Sequence, residues 1–198
     1  MPELEVPAPP PVPTTPPPAE FGVFYRREDA PGFFLRMLIA SVDGVCLLAL
    51  AIALGLVMAA ILPPGHGTLI GAGIVLTCWA YEVPLKRSRP GTAGYLLFRV
   101  KVVDLYGHRP GLIRMTLRTL VSFGFNPLLD LIWATSDDSR QGLRDKLCGT
   151  YVVRRSAVPC GRGELAYASV FVAGMSMIYR EVRRGSSARA GAAGAARA

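Results

Sequence analysis

Charge is what this chain has least of. Only 18% of its 198 residues are Asp, Glu, Lys or Arg, against 51% hydrophobic residues, a balance too apolar for an ordinary soluble domain of this size. Scarcity becomes absence between Asp43 and Glu82, where all 38 intervening residues are uncharged. Histidine is nearly missing: His66 and His108 stand alone in loop-like stretches, where a solvated ring fits better than a metal ligand. The four cysteines, Cys46, Cys78, Cys148 and Cys160, show no C-x-x-C spacing, and the first two lie in apolar runs as small hydrophobes, so neither a disulfide framework nor a zinc site is expected. A nucleophile with its base, a phosphate-cradling glycine loop and an H-E-x-x-H pattern are also lacking, so no enzyme, metal or cofactor is expected. The start has no basic stretch followed by an apolar core and a small-residue cleavage site, which argues against a signal peptide.

What is present points to a bilayer. The run after Pro31-Gly32 predicts a spanning helix from about Phe33 to Leu62, whose fully uncharged part is Gly44 to Leu62; with the preceding turns it is long enough for a ~30 Å core at ~1.5 Å per residue. Pro63-Pro64-Gly65 ends it, and a return helix follows from about Thr68 to Leu85, with Trp79 and Tyr81 at belt level and Glu82 four residues before Lys86. Gly71 and Gly73 read as helix-packing positions. The 22 basic residues outnumber the 14 acidic ones, and 19 of the 22 are Arg. Nucleic acid is one partner such a balance suggests, but the basic residues cluster at the ends of apolar segments. The connecting loop Pro63 to Gly67 has none, while Lys86 to Arg118 holds eight. The positive-inside bias therefore puts both helix ends and the N-terminal arm, with Arg26 and Arg27, in the cytoplasm of what is expected to be a bacterial inner membrane.

The rest of the chain is more broken. Residues 1–30 read as a disordered, proline-rich cytoplasmic arm, with nine prolines from Pro2 to Pro18; a solvated tail fits it better than a P-x-x-P docking motif. Leu96 to Asp104 predicts a short strand turned by Tyr106-Gly107, and Gly149 to Arg154 a second one. Between them, a third hydrophobic segment at about 112–135 contains Arg118, Asn126-Pro127 and Asp130, with basic clusters on both sides. A helical hairpin or re-entrant pair broken at Asn126-Pro127 would return to the cytoplasm and let the strands pair; the competing reading is a third span kinked at the proline. Residues 156–184 are expected to form a short C-terminal apolar helix over Leu165 to Tyr179, spanning or interfacial, and 185–198 a flexible tail. The predicted fold is thus a mainly α-helical polytopic membrane protein: a transmembrane hairpin, a polar-interrupted third segment and a small cytoplasmic two-stranded β element.

Arg36 and Asp43 are the sharpest chemical feature. Seven residues make ~700° of helix, so both side chains share one stripe ~10.5 Å apart along the axis. Asp43 leans toward Arg36. An acid there costs ~2.5 to 3.5 kcal/mol at a central membrane position unless it has a partner, water or a proton. One reading is an ion, proton or ligand site. The other is that Arg36 snorkels to the headgroups and Asp43 makes an inter-helix contact that fixes packing.

Taken together, the order G-F-F-x-R-x6-D (Gly32 to Asp43), T-x-G before a strand (Thr92, Gly94, then Val100 to Asp104 and Gly107), Arg118, and R-Q-x-L-x-D-K-x-x-G-T-x-V-V (Arg140 to Val153) resembles the RDD family of small integral membrane proteins, over about Gly32 to Arg154. The resemblance assigns the family's name residues to Arg36, Asp43 and Asp145, with Arg118, Asp130 and Glu82 as secondary candidates. Departures are Tyr95 where a basic residue is usual, Arg99 where Gly is usual, and Arg144 where His is common. The resemblance implies transport of an unidentified ligand, cation/proton antiport as in some relatives, or an accessory role in a membrane complex; the expected function is transport-associated, with a cation, proton or small-ligand site around the Arg36/Asp43 pair, and the alternative is a non-transporting accessory or scaffold subunit of a larger membrane complex. Two or three helices hardly enclose a pathway, so a homo-oligomer or a membrane-complex partner is expected. If the two strands pair, Asp145 and Arg118 would lie near Arg36.

Overall fold

The computed structural model describes residues 20–184 apart from 125, 126 and 173. The proline-rich stretch 1–19 and the tail 185–198 therefore lie outside the described residues. Strand β1 (Phe21–Phe24) and a single 3₁₀ turn at Arg27–Asp29 occupy what the sequence reading counted as the end of a disordered arm. The correction has a physical cause. β1 pairs with a strand some 140 positions away, Phe21 opposite Glu164, and such a partner leaves no trace in local pattern.

Helix α1 (Phe33–Ile61) starts after Pro31-Gly32 and stops where Leu62, held extended at φ −87° and ψ 141°, precedes Pro63. Helix α2 (Gly67–Ala80) continues into a π-helical turn at Tyr81–Leu85 that contains Pro84. Proline has no N–H for an i−4 carbonyl, and the wider turn absorbs the mismatch. Among the described residues these two helices are long and apolar enough to cross a membrane. They touch closely at small residues; a Cβ on Gly73 would come within 2.9 Å of Met58 Sδ. The buried residues of α1 are Arg36, Ile39 and Asp43, at i, i+3 and i+7 on one stripe of its first turns. Further along, the faces of α1 turned from α2 are uncovered, with Val45 and Leu56 each 68% exposed.

The third hydrophobic segment is two helices, α4 (Leu112–Gly124) and α5 (Pro127–Ser136). At ~1.5 Å per residue they are ~20 and ~15 Å long, each short of a ~30 Å bilayer core. α4 buries Met115 and Arg118 while Ile113, Leu117 and Leu120 are exposed.

A mixed base completes the structure. Short helices α3 (Ala93–Leu97) and α6 (Leu143–Leu147) lead into strands β2 (Val100–Asp104) and β3 (Thr150–Arg154), which pair antiparallel with Val102 opposite Val152. Alternation puts the two faces of this ribbon into two cores. Val100, Val102 and Val152 pack with Ile39, Val83, Tyr95 and Met115 under the helices. Val103, Tyr151 and Val153 pack with Phe24, Tyr25, Leu105, Ala157 and Val182.

That second core is closed by a three-stranded antiparallel sheet in the order β1, β4, β5. Here the sequence reading is overturned. Residues expected to form a short C-terminal helix are strands β4 (Gly161–Val172) and β5 (Met175–Arg183). Val172 pairs in register with Met175 at the end of the hairpin, and Gly174 sits at φ +82°, a conformation glycine adopts without strain. The 15-residue apolar run was two β-rich runs, around Tyr167–Phe171 and Met177–Tyr179, joined by a glycine turn.

Candidate functional site

The two short helices are built alike. Each position of α3 and β2 lies 50 residues before its counterpart in α6 and β3: Ala93 and Leu143, Arg99 and Gly149, Val100 and Thr150. Both helices end in the same pair of backbone bonds, Phe98 N–H to Gly94 O and Arg99 N–H to Leu96 O in one, Cys148 N–H to Arg144 O and Gly149 N–H to Lys146 O in the other. Both then turn through a left-handed residue, Arg99 at φ 52° and Gly149 at φ 59°. The left-handed backbone at that position favours glycine, and this chain carries Arg in the first copy and Gly in the second.

Each short helix also receives an acid from another helix at its second N–H. Gly94 N–H donates to Asp43 Oδ1 at 2.7 Å, and Arg144 N–H donates to Asp130 Oδ1 at 2.9 Å. Glycines make room for both acids. A Cβ on Gly94 would lie 2.6 Å from Ile39 O and 2.9 Å from Asp43 Oδ1, and one on Gly142 would lie 2.5 Å from Asp130 Oδ1.

Around Asp43, 3% exposed, the donors are complete. Besides Gly94, Tyr81 donates its hydroxyl to Oδ1 at 3.2 Å while accepting from Ala93 N–H at 3.2 Å. Thr92 donates its hydroxyl to Oδ2 at 2.8 Å, and Lys86 Nζ stands 3.5 Å from the same oxygen. Lys86 also donates to Glu82 at 2.7 Å and lies over the Tyr95 ring. Lys86 thus bridges two carboxylates.

Asp145, fully buried, is the second centre. Arg118 donates to Oδ1 through Nε at 2.9 Å and Nη2 at 2.5 Å. Oδ2 accepts from Arg36 Nη1 at 2.9 Å and from Gly142 N–H at 3.2 Å, the latter joining the acid to the start of its own helix. Arg36 spends its other N–H groups on backbone carbonyls, Nε on Pro31 O at 3.2 Å and Nη2 on Arg140 O at 2.6 Å. Burial alone would raise the Asp145 pKa; the charges of Arg118 and then Arg36 override it and hold the carboxyl well below the usual carboxylate range. Just past the helix, burial pushes the Cys148 thiol up to about 11, so it is no thiolate at neutral pH.

Arg36 and Asp43 share a stripe of α1, yet no hydrogen bond or ion pair joins them; Arg36 goes to α6 and Asp43 to α3 and the π turn. Asp145 is paired with distant arginines rather than with its neighbours Lys146 and Arg144. Lys146 instead bonds Asp137 at 2.5 Å and faces Glu181 of β5 at 3.6 Å. Asp130 pairs with Arg144, whose Nε lies 3.0 Å from Oδ2 for charge attraction but is not aligned for a hydrogen bond. Sequence reasoning missed Tyr81 as a donor, having placed it in an aromatic belt. The T-x-G motif was a signal for Thr92 and Gly94, and the 50-residue repeat, with Leu97 matching Leu147 and Val102-Val103 matching Val152-Val153, was a fainter one.

A carboxylate offers about four lone-pair sites. Asp145 has four protein donors and Asp43 three plus an ammonium, so in this arrangement both acids fasten α1 to the base rather than facing an open volume. No curated protein and no solved structure matches the chain. Residues 30–149 match the protein-family model described as RDD family, covering more than half of the sequence, and the chain therefore belongs to the RDD family.

Proposed function

We propose that this protein is a two-span integral subunit of a membrane assembly, homo-oligomeric or with other subunits, in which the signature residues Arg36, Asp43 and Asp145 clamp the transmembrane hairpin to a cytoplasmic base. It is neither an enzyme nor a nucleic-acid binder. The observation that carries this reading is that both signature carboxylates are surrounded by protein partners: three donors and the Lys86 ammonium from other elements around Asp43, and around Asp145 three guanidinium donors from α1 and α4 with Gly142 N–H at the start of its own helix. The exposed apolar faces of α1 and α2 support it, since two helices leave most of their circumference to lipid or to other helices. The charge bias supports a cytoplasmic N-terminus in the cell membrane, and the short lengths of α4 and α5 support a segment that returns without crossing.

A second reading, a transport-associated cation or proton site, is favoured by one observation: Lys86 bridges Asp43 and Glu82 and lines a cavity. Reconstitution of the full chain in liposomes separates the two. The clamp reading expects no Na⁺, K⁺ or H⁺ flux that depends on Asp43. Flux abolished by Asp43→Asn in a variant with unchanged thermal stability overturns it in favour of transport.

A further inference from the structure

Beside the clamp lies a cavity of about 340 Å³, lined by Lys86 but not by Asp43. Its charged lining is Lys86, Arg87, Arg89, Lys101, Arg109 and Arg155, and no acidic side chain lines it. The first three follow directly from the end of the π turn; the others come from β2, the turn after it and the residue after β3. Apart from Lys86, among the described residues none of these six forms an ion pair with a carboxylate. Several are fixed without being neutralised. Lys101 donates to Ala157 O at 3.2 Å, and Arg155 donates to Val100 O at 3.4 Å and to Pro90 O. Gly91, at φ +77°, bends the loop so that its backbone passes close to the Arg155 guanidinium. Arg87 Nε is buried and has no hydrogen-bond partner.

Six cations converging on one hollow repel each other, and a buried guanidinium N–H without an acceptor adds a desolvation penalty. Both costs are removed by an anion that is multiply charged and rich in acceptors. We propose that this cavity binds a phosphate group, from an anionic phospholipid headgroup or from a soluble phosphate compound. Arginine is suited to it through paired N–H donors, and Lys86 and Lys101 contribute point charges. The cavity begins one residue past the apolar helix, at the level where a headgroup phosphate lies if the hairpin spans the bilayer; basic hollows of this kind on the cytoplasmic side are where anionic headgroups bind. The proposal stands independently of whether the neighbouring acids clamp or transport.

The test uses the full chain in a neutral detergent and two probes, phosphatidylglycerol with phosphatidylcholine as reference, and inorganic pyrophosphate. Native mass spectrometry reads retained lipid, and thermal shift reads pyrophosphate. The variant is Arg87→Gln with Arg109→Gln, because neither side chain makes a protein hydrogen bond among the described residues and their loss leaves the fold intact; Arg162→Gln on β4 is the control. Wild type and control are expected to hold one of the probes, and the double variant at least ~10-fold less, the loss of one or more charge-assisted bonds. Phosphatidylglycerol held without competition by pyrophosphate identifies a lipid headgroup; pyrophosphate binding identifies a soluble ligand. Wild type that retains phosphatidylglycerol no better than phosphatidylcholine and shows no shift with pyrophosphate overturns the proposal, as does a double variant that binds like wild type.

Discussion

Replacing Gly94 by Ala sets two effects of opposite sign against each other. Gly94 is the second residue of α3, and in an ordinary helix Ala would be favoured there by ~1 kcal/mol. Here the added Cβ would sit 2.6 Å from Ile39 O on α1, a backbone atom that cannot swing aside, and 2.9 Å from Asp43 Oδ1. Overpacking of this kind costs ~1 to 3 kcal/mol. Relieving it moves α3 away from α1, which stretches the 2.7 Å bond from Gly94 N–H to Asp43, a hydrogen bond to a charged group worth ~1.5 to 3 kcal/mol. The steric and hydrogen-bond terms together exceed the helix gain by about 1.5 to 5 kcal/mol. At ~2 to 4 °C per kcal/mol for a chain of this size, the thermal midpoint should fall by roughly 3 to 20 °C. Gly44, one residue past Asp43 on α1, has nothing within 4 Å of a built Cβ, so Gly44→Ala is the matched control and should leave the midpoint unchanged or raise it slightly. The assay is size-exclusion of detergent-solubilised protein after graded heating. A Gly94→Ala midpoint at or above wild type would refute the reasoning.

The remaining predictions are briefer. Arg99→Gly should stabilise by ~0.5 to 1 kcal/mol, because Arg99 holds a left-handed backbone at φ 52° with an exposed side chain; a lowered midpoint in the same heating assay would contradict this. The depressed Asp145 pKa means its contribution is fully present above the unfolded carboxylate value of ~3.9 and is lost as pH falls toward the folded one. Wild-type midpoints should therefore hold from pH 7 to about 4 and decline below it, and Asp145→Asn should show a shallower acid decline; parallel acid limbs would remove Asp145 from the explanation. Ser156→Cys in a background without the four native cysteines should be labelled by impermeant thiol reagent only from the cytoplasmic side, and labelling from the opposite side would mean that the third segment crosses.

Sequence legibility followed the range of the forces. α1 and α2 could be read because an uncharged run bounded by Asp43, Pro63-Pro64 and Glu82 is a local property. The paired strands β2 and β3 could be read from β-branched residues, and the break near Asn126-Pro127 from the missing proline donor, although 125 and 126 themselves lie outside the described residues. The β4–β5 hairpin was misread because apolar content outweighed the turn at Gly174, and β1 was missed because its partner is remote. Among the site residues, the resemblance singled out Arg36, Asp43 and Asp145. What each touches was not legible, since Arg118, Lys86 and Tyr81 reach them only through docking of α4, the π turn and α3.

The clamp itself is tested most directly at Asp145. Asp145→Asn leaves two buried guanidiniums, Arg36 and Arg118, without a countercharge, and losing one member of a buried ion-pair set costs ~3 to 5 kcal/mol. Replacing all three with apolar residues of similar size (Arg36→Met, Arg118→Met, Asp145→Leu) removes the stranded charges as well. Thermal midpoints measured side by side should show the single variant lowered by ~6 to 20 °C and the triple variant lowered by less. A single variant that melts with wild type, or a triple variant that falls further than the single, would contradict a structural clamp.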